Sequence, residues 1–412
     1  MKELLTFLND SYTAYHATEN ARALLLKNGF TELSESEAWK LKTGRKYFVT
    51  RNGSSIIAFT LGKGNGFKIV ASHTDSPALK LKEQPEMKGV FTRLNVETYG
   101  GGLWYSFFDR PLKLAGRTVT EENGALTGNL YTSDYTVVIP SLAIHMNRTA
   151  NEGFAPNEQT DLLPLFSLGE KELGINAVAK DIYAVPCDAP FECGANGEFI
   201  CAPRVDNLTS VFSSLRALCS EKTNGVCIAA CLDNEEIGSR TRQGAGSDFL
   251  KRTLERIAIC QNIGGEDFLR LTADSFLISL DNAHSVHPNR PEKCDPTNRA
   301  VMGGGVAIKA HANGAYTTDG MTAAIVRTLF DRAGVKHQNF YNRSDMRSGS
   351  TLGAISLGQL GIPSVDLGIA QLAMHSAAET FAKVDYEELE KGLKAFYASE
   401  ISFGEKRATV IV

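Results

Sequence analysis

Five positions in this 412-residue sequence set a ligating or acidic side chain at or shortly after the end of a short, β-branched run. They are His73 in FKIVASHTDS, Glu235 and Glu236 in GVCIAACLDNEE, Asp281 in DSFLISLDNAHS, and His375, which follows IPSVDLGIA in the stretch AQLAMHSAAE. Asp206, in RVDNL, stands just before a helical pattern. In open α/β sheets, sites form outside the carboxyl ends of the strands. Histidines and carboxylates collected there are the donors that zinc and related divalent ions take, and one carboxylate can bridge two ions. Two ions ~3.5–4 Å apart clamp an attacking hydroxide and polarise a carbonyl, which amide hydrolysis at neutral pH requires. Glu235 and Glu236 are adjacent, so their side chains point apart. One can bind metal while the other carries the proton, and the residues alone do not say which. Each position has a plainer reading when taken singly. Asp206 suits a helix N-cap, the acidic pair suits a helix N-terminus, and His73 suits a hydrogen-bonded core histidine. Their joint occurrence after four different strands favours the metal reading.

The elements that would hold these residues alternate. The runs quoted above read as buried parallel strands, and NLTSVFSSLRALCSE, SDFLKRTLERIAICQ and GMTAAIVRTLFDRAG between them read as helices. The expected fold class is α/β, a doubly wound mixed sheet. Residues 82–202 differ, with glycine-rich turns and β-type pieces such as VFTRLNVETYGGG and LKLAGRTVTEENGALTGNLYTS. They are expected to form a β-rich domain inserted into a discontinuous α/β catalytic domain of residues 1–81 and 203–412. The glycines of GKGNG and YGGGLW lack the following GK[ST] of a phosphate loop and read as turns.

Composition narrows the partners. Hydrophobic residues make up 43% and charged residues 22%, so the chain should fold, and its length suits two domains. A net charge of -4 with no basic run argues against nucleic acid. The first thirty residues are charged throughout and read as an amphipathic helical segment, and no apolar stretch is long enough for a membrane span. A cytoplasmic location is expected. The eight cysteines are scattered and read as reduced thiols.

The motifs ASHTDSPALKLK, RVDNL, CLDNEEIGS, SLDNAHSVHPN and LAMHS, in this order, closely resemble the aspartyl aminopeptidase family of di-zinc peptidases, and the resemblance covers essentially the whole chain. It implies a zinc-peptidase-like fold and a metal-dependent aminopeptidase preferring an acidic N-terminal residue. It also implies two divalent ions per subunit, zinc by preference, with cobalt or manganese accepting the same donors. Asp206 would bridge the ions, with His73 and Asp281 on one and Glu236 and His375 on the other. Glu235 would be the general base, and Asp75 would orient His73. The inserted domain would build dimers that assemble into a tetrahedral homododecamer, with His145 reaching a neighbouring subunit's substrate. Lys309, in VAIKAH, would pair with the acidic substrate side chain, and Asp345, in RSDMRSGSTLG, would take the substrate's free amine. The sequence departs from the family at Arg347 and Ser348, and at Ala378 after LAMHS. These changes bear on the substrate pocket and leave the ligand set intact. A carboxypeptidase or N-acyl amino acid deacylase of similar architecture would instead need a cation for a carboxylate, which Arg343 and Arg347 could supply. A non-catalytic relative would be expected to have lost a ligand or Glu235.

Overall fold

The computed structural model describes residues 1–64, 66–220, 222–346, 349, 353, 360–404 and 407–412. Arg347 and Ser348 fall outside them. Helices α1 (Lys2–Asp10) and α2 (Ala14–Lys27) lead into β1 (Thr31–Leu33), β2 (Lys46–Arg51), β3 (Ser55–Leu61) and β4 (Phe67–His73). Next come β5 (Ala78–Met87), β6 (Phe91–Tyr99), β7 (Leu112–Glu122), β8 (Ala125–Val137), β9 (Leu165–Leu168) and β10 (Ala179–Pro186). The short strands β11 (Phe191–Cys193) and β12 (Phe199–Ala202) precede α3 (Val205–Leu218), β13 (Val226–Leu232), α4 (Phe249–Cys260) and α5 (Glu266–Ala273). The chain continues through β14 (Phe276–Leu280), β15 (Ala283–His284), β16 (Val306–Lys309), α6 (Gly320–Ala333) and β17 (His337–Phe340). It closes with β18 (Ser364–Gly368), β19 (Ala370–Leu372), β20 (Glu379–Ala382), α7 (Lys383–Ala398) and a hairpin of β21 (Glu400–Gly404) and β22 (Arg407–Ile411).

The main sheet has nine strands in the order β1-β2-β3-β13-β4-β14-β18-β16-β17. Its centre is parallel, with β13, β4, β14 and β18 side by side, and β3 and β16 run antiparallel to their central neighbours. The central strands are buried along their whole length because helices cover both faces. β13 shows how one strand serves both layers. Cys227, Ala229 and Cys231 pack into the core under α1, α2, α3, α6 and α7, whereas Val226, Ile228, Ala230 and Leu232 pack into the core under α4. That period of two is the pleat of the strand. At the start of α6, Asp319 accepts from the backbone of Thr322 and Thr322 Oγ1 bonds back to Asp319, so the helix begins on a capping box. It ends on Gly334 in the left-handed region.

A second sheet, β8-β7-β10-β5-β6-β9, lies entirely within residues 78–186 and encloses its own core around Leu79, Leu114 and Ile182. It starts at Ala78, upstream of the boundary expected at residue 82, because β5 runs as one strand out of the loop after β4. At the other end, β11 and β12 leave this sheet. β12 pairs with β20, so the return segment belongs to a third sheet, β11-β12-β20-β19-β15, beside the ends of the central strands.

Candidate metal centre

The parallel arrangement brings three strand ends together. His73 is the last residue of β4, Asp281 follows β14, and Glu235 and Glu236 form a single 3-10 turn after β13. Asp206 lies in the first turn of α3 with extended backbone angles; its Oδ1 takes no backbone N–H of the helix, so it does not cap α3, and its side chain turns toward the strand ends instead. His375 follows β19 with φ of 65°.

Donor atoms of these residues fall into overlapping triads. His73, Asp206 and Asp281 present atoms within 4.8 Å of one another, and so do Asp206, Glu236 and His375; Asp206 belongs to both. His73 Nε2 lies 3.6 Å from Asp206 Oδ1 and 3.7 Å from Asp281 Oδ1. His375 Nε2 lies 3.4 Å from Asp206 Oδ2 and 3.3 Å from Glu236 Oε1. A further triad joins His73 with Glu235 and Glu236.

The surroundings fit metal ions. His73 Nδ1 donates to the carbonyl of Asp75 (3.0 Å) and His375 Nδ1 to the carbonyl of Gly101 (2.9 Å). A carbonyl can only accept, so each ring carries its proton on Nδ1 and offers the Nε2 lone pair to the cluster. Asp206 Oδ1 and Glu236 Oε1 are buried and accept no hydrogen bond. Leaving a carboxylate oxygen in that state is costly, and a divalent cation answers it.

Between protein groups alone, the carboxylates draw protons onto the two rings, and a metal ion held at Nε2 would displace those protons. Burial opposes charge on His73, yet the neighbouring carboxylates of Asp206, Asp281 and Asp75 hold its pKa well above the ordinary value. For His375 burial also lowers, but Asp206 and Glu236 outweigh it and bring the pKa to about 10. Burial pushes Glu236 well up, while His375 partly opposes it. Glu235 is pushed to about 7, first by burial and then by Asp281, Asp75 and Asp206, against the pull of His73.

Two buried carboxylates hold the ligand loops from behind. Asp75 accepts the backbone N–H of Glu235 and of Glu236, each at 3.1 Å, and its Oδ1 lies 3.4 Å from His73 Nδ1. Glu379 accepts the N–H of Asp206 (2.9 Å) and of His375 (2.6 Å). The resemblance pointed to Asp75; nothing in the sequence reading pointed to Glu379, since its work is done on backbone amides. Tyr99, at the end of β6, donates its hydroxyl to Asp75 Oδ2 (2.7 Å) and accepts from Asn234 Nδ2 (2.8 Å). The glycine stretch read as a plain turn also reaches the cluster. Gly101 holds His375, the N–H of Leu103 bonds the His375 carbonyl, and a Cβ on Gly100 would stand 3.0 Å from Glu236 Cβ. The signal available in sequence was the tyrosine before three glycines, a place where backbone comes close to something.

A cavity of about 370 Å³ opens beside the cluster, lined by His73, Asp206, Glu235, Asp281, His375 and Lys309. Lys309 is fully buried, which excludes a surface lysine. Its Nζ donates to the carbonyls of Asp281 (3.0 Å) and Asn282 (3.1 Å), lies 3.5 Å from Asp281 Oδ2, and sits 4.9 Å from the centre of the Tyr316 ring. His145 is not brought to this cavity. It is exposed on the long connection between β8 and β9, so it is not a core histidine either. Asp345 is not brought there: it faces solvent and forms an ion pair with Arg343 (2.7 Å), two residues away on the same turn.

Comparison with known proteins places these features in a family. The profile of the aminopeptidase I zinc metalloproteases (M18) matches residues 7–177 and 175–397. The chain is 42% identical to the probable M18 family aminopeptidase 2 of Clostridium acetobutylicum (strain ATCC 824) over 426 aligned residues, covering 96% of this chain and 98% of that one. It is 39% identical to the protein of the same description from Pseudomonas fluorescens (strain SBW25), covering 96% and 97%. Among solved structures it resembles the chain in a cryo-EM structure of the Ape4 and Nbr1 complex, with TM-score 0.92 and 34% identity over 96% of this chain and 85% of that one. It also resembles the S. cerevesiae mApe1 dodecamer, with TM-score 0.83 and 27% identity over 96% and 95%.

Proposed function

This chain belongs to the aminopeptidase I (M18) family of zinc metalloproteases, and from that premise we propose that it removes acidic N-terminal residues from peptides using two metal ions. The observation that carries the reading is the pair of donor triads sharing Asp206. In this reading His73 and Asp281 would hold one ion and Glu236 and His375 the other, with Asp206, common to both triads, shared between them. Zinc bound there supplies Lewis acidity and lowers the pKa of water.

Glu235 does the proton work. It lines the cavity without belonging to either of the triads built on Asp206. Its carboxylate takes a proton from the attacking water as oxygen bonds to the scissile carbonyl carbon. It then returns the proton to the departing amine as the C–N bond breaks. Asp75 keeps the Glu235 backbone in place through that exchange. Lys309 brings a buried cation to the cavity wall; two of its protons go to carbonyls and Asp281 Oδ2 lies 3.5 Å away, and in this reading its charge is shared with an acidic first side chain.

Assembly belongs to the same proposal. The connection that carries His145 also exposes Leu142, Ile144, Met146 and Phe154. Apolar side chains grouped on an open segment suit an interface, and we assign it to homo-oligomerisation through the β-rich sheet, as in the family's dodecamers. No helix among the described residues is long and apolar enough to cross a membrane. The eight cysteines are free thiols, which suits a reducing compartment such as the cytoplasm.

The test is release of the first residue from peptides beginning with Glu, Ala or Lys, before and after chelation and zinc repletion. The expected result is metal-dependent release with Glu well ahead. Equal release of Ala and Glu would remove the acidic preference and leave the mechanism. Release that survives exhaustive chelation would overturn the mechanism.

A further inference from the structure

A second cavity, of about 690 Å³, adjoins the metal cavity; Leu103, His284 and Phe340 line both. It is built from the segment after β15 and the segment after β17, which are tied together where Tyr341 N–H bonds the Asn298 carbonyl (2.9 Å). Its wall carries Arg290, Lys293, Arg299 and Arg343, and no Asp or Glu among the described residues. In a chain of net charge -4, that concentration of one sign is a local feature. Arg343 is answered by Asp345, which is outside the lining, and Lys293 also acts on Asp345. Arg290 and Arg299 have no side-chain hydrogen bond or ion pair among the described residues. Tyr105, Tyr341 and Leu372 add apolar wall between the charges.

We propose that this second cavity binds a carboxylate of the substrate downstream of the scissile bond. The inference rests on the aminopeptidase reading and deepens it. With the first residue in the metal cavity, the rest of the peptide continues into adjoining space, and here that space is cationic and partly apolar. The carboxylate has two sources, the α-carboxylate of a short peptide or an acidic side chain within a longer one. Arg290 and Arg299 are free to take either. The substrate class is therefore short peptides with a free C-terminus, or longer ones with an acidic residue second after the cleaved bond.

The test uses the zinc-loaded full chain and three kinds of substrate. Glu-p-nitroanilide has no downstream carboxylate and reports the aminopeptidase reading alone. Glu-Ala-Ala against its carboxamide isolates the α-carboxylate, and Glu-Ala-Glu-amide against Glu-Ala-Gln-amide isolates the side chain. In at least one of these two pairs, kcat/KM is expected to be about tenfold higher for the charged member, mostly through KM. That ratio should shrink toward one in about 0.5 M NaCl and in Arg290→Gln/Arg299→Gln, and largely return in Arg290→Lys/Arg299→Lys. Equal kcat/KM within both pairs while Glu-p-nitroanilide is cleaved would overturn the subsite and leave the aminopeptidase reading standing. A ratio unmoved by the double Gln variant would do the same. No cleavage of any of these substrates would sink the aminopeptidase reading, and the subsite with it.

Discussion

The Tyr99 hydroxyl belongs to none of the donor triads, yet it donates to Asp75, the carboxylate that lies against His73 and holds the backbone of Glu235 and Glu236. Burial, then the neighbouring charges of Asp75 and Asp233, raise its pKa far above the usual phenol value, so it stays a donor to Asp75. Tyr99→Phe keeps the ring and its edge contact with Tyr183 and removes the donor. Supporting hydrogen bonds of this kind are worth about 10–100-fold in metal affinity. Tyr99→Phe is therefore expected to lose zinc to a competing chelator about 10–100-fold more readily, and to lower kcat more than it raises KM. Unchanged zinc retention would remove Tyr99 from the metal centre. At this scale the sequence was legible where a side chain itself enters the cluster, because His73, Glu235, Glu236 and Asp281 each follow an apolar run. It was illegible at Glu379 and Gly101, which act on or through the backbone, and at Tyr99, whose partner is 24 positions away. That Asp345 stands outside the cavity went unread for a related reason: a motif carries no record of the nearby Arg343 that takes its charge.

Among the elements, the turn after β6 shows how a short segment sets the position of a ligand. Gly100 has φ of 74°, and an added Cβ would stand 3.0 Å from Glu236 Cβ; Gly124 has φ of 82° and nothing within 4 Å. Alanine at either site carries the left-handed backbone penalty of about 1–2 kcal/mol. Only Gly100→Ala also presses on a residue of the cluster. Both variants should lower the melting temperature by a few degrees, but Gly100→Ala alone should lose bound metal and activity, as metal content and peptide turnover on the folded variants will show. Equal zinc content and turnover in the two would mean that the turn does not hold Glu236. The central strands were legible because a strand buried on both faces must be apolar throughout, as β13 is. The pairing of β12 with β20 was not, since it joins residues far apart in sequence and leaves no local pattern. Nor did periodicity mark the start of β5, which runs into the second sheet with no turn residue at the expected boundary.

For the molecule as a whole, the open question is how an exposed histidine on the second sheet could serve a cavity it does not line. His145 sits among exposed apolar side chains on one connection, and to serve a cavity at all it would have to be brought to a partner's by pairing through that face. Complementation separates this from a role within its own chain. A subunit with His145→Ala keeps Glu235 but lacks the histidine for its neighbour, whereas a subunit with Glu235→Gln keeps the histidine but has no proton carrier. Each alone should be strongly impaired. Coexpressed in equal amounts, random pairing gives the His145→Ala subunit a Glu235→Gln neighbour half the time, so about a quarter of wild-type activity should return. Recovery of that size requires the histidine to cross between subunits. If mixed oligomers stay as inactive as their parents, His145 acts in its own chain; if His145→Ala alone is fully active, it has no part in the reaction. The first outcome would also make activity depend on protein concentration, because an isolated chain would lack part of its own site.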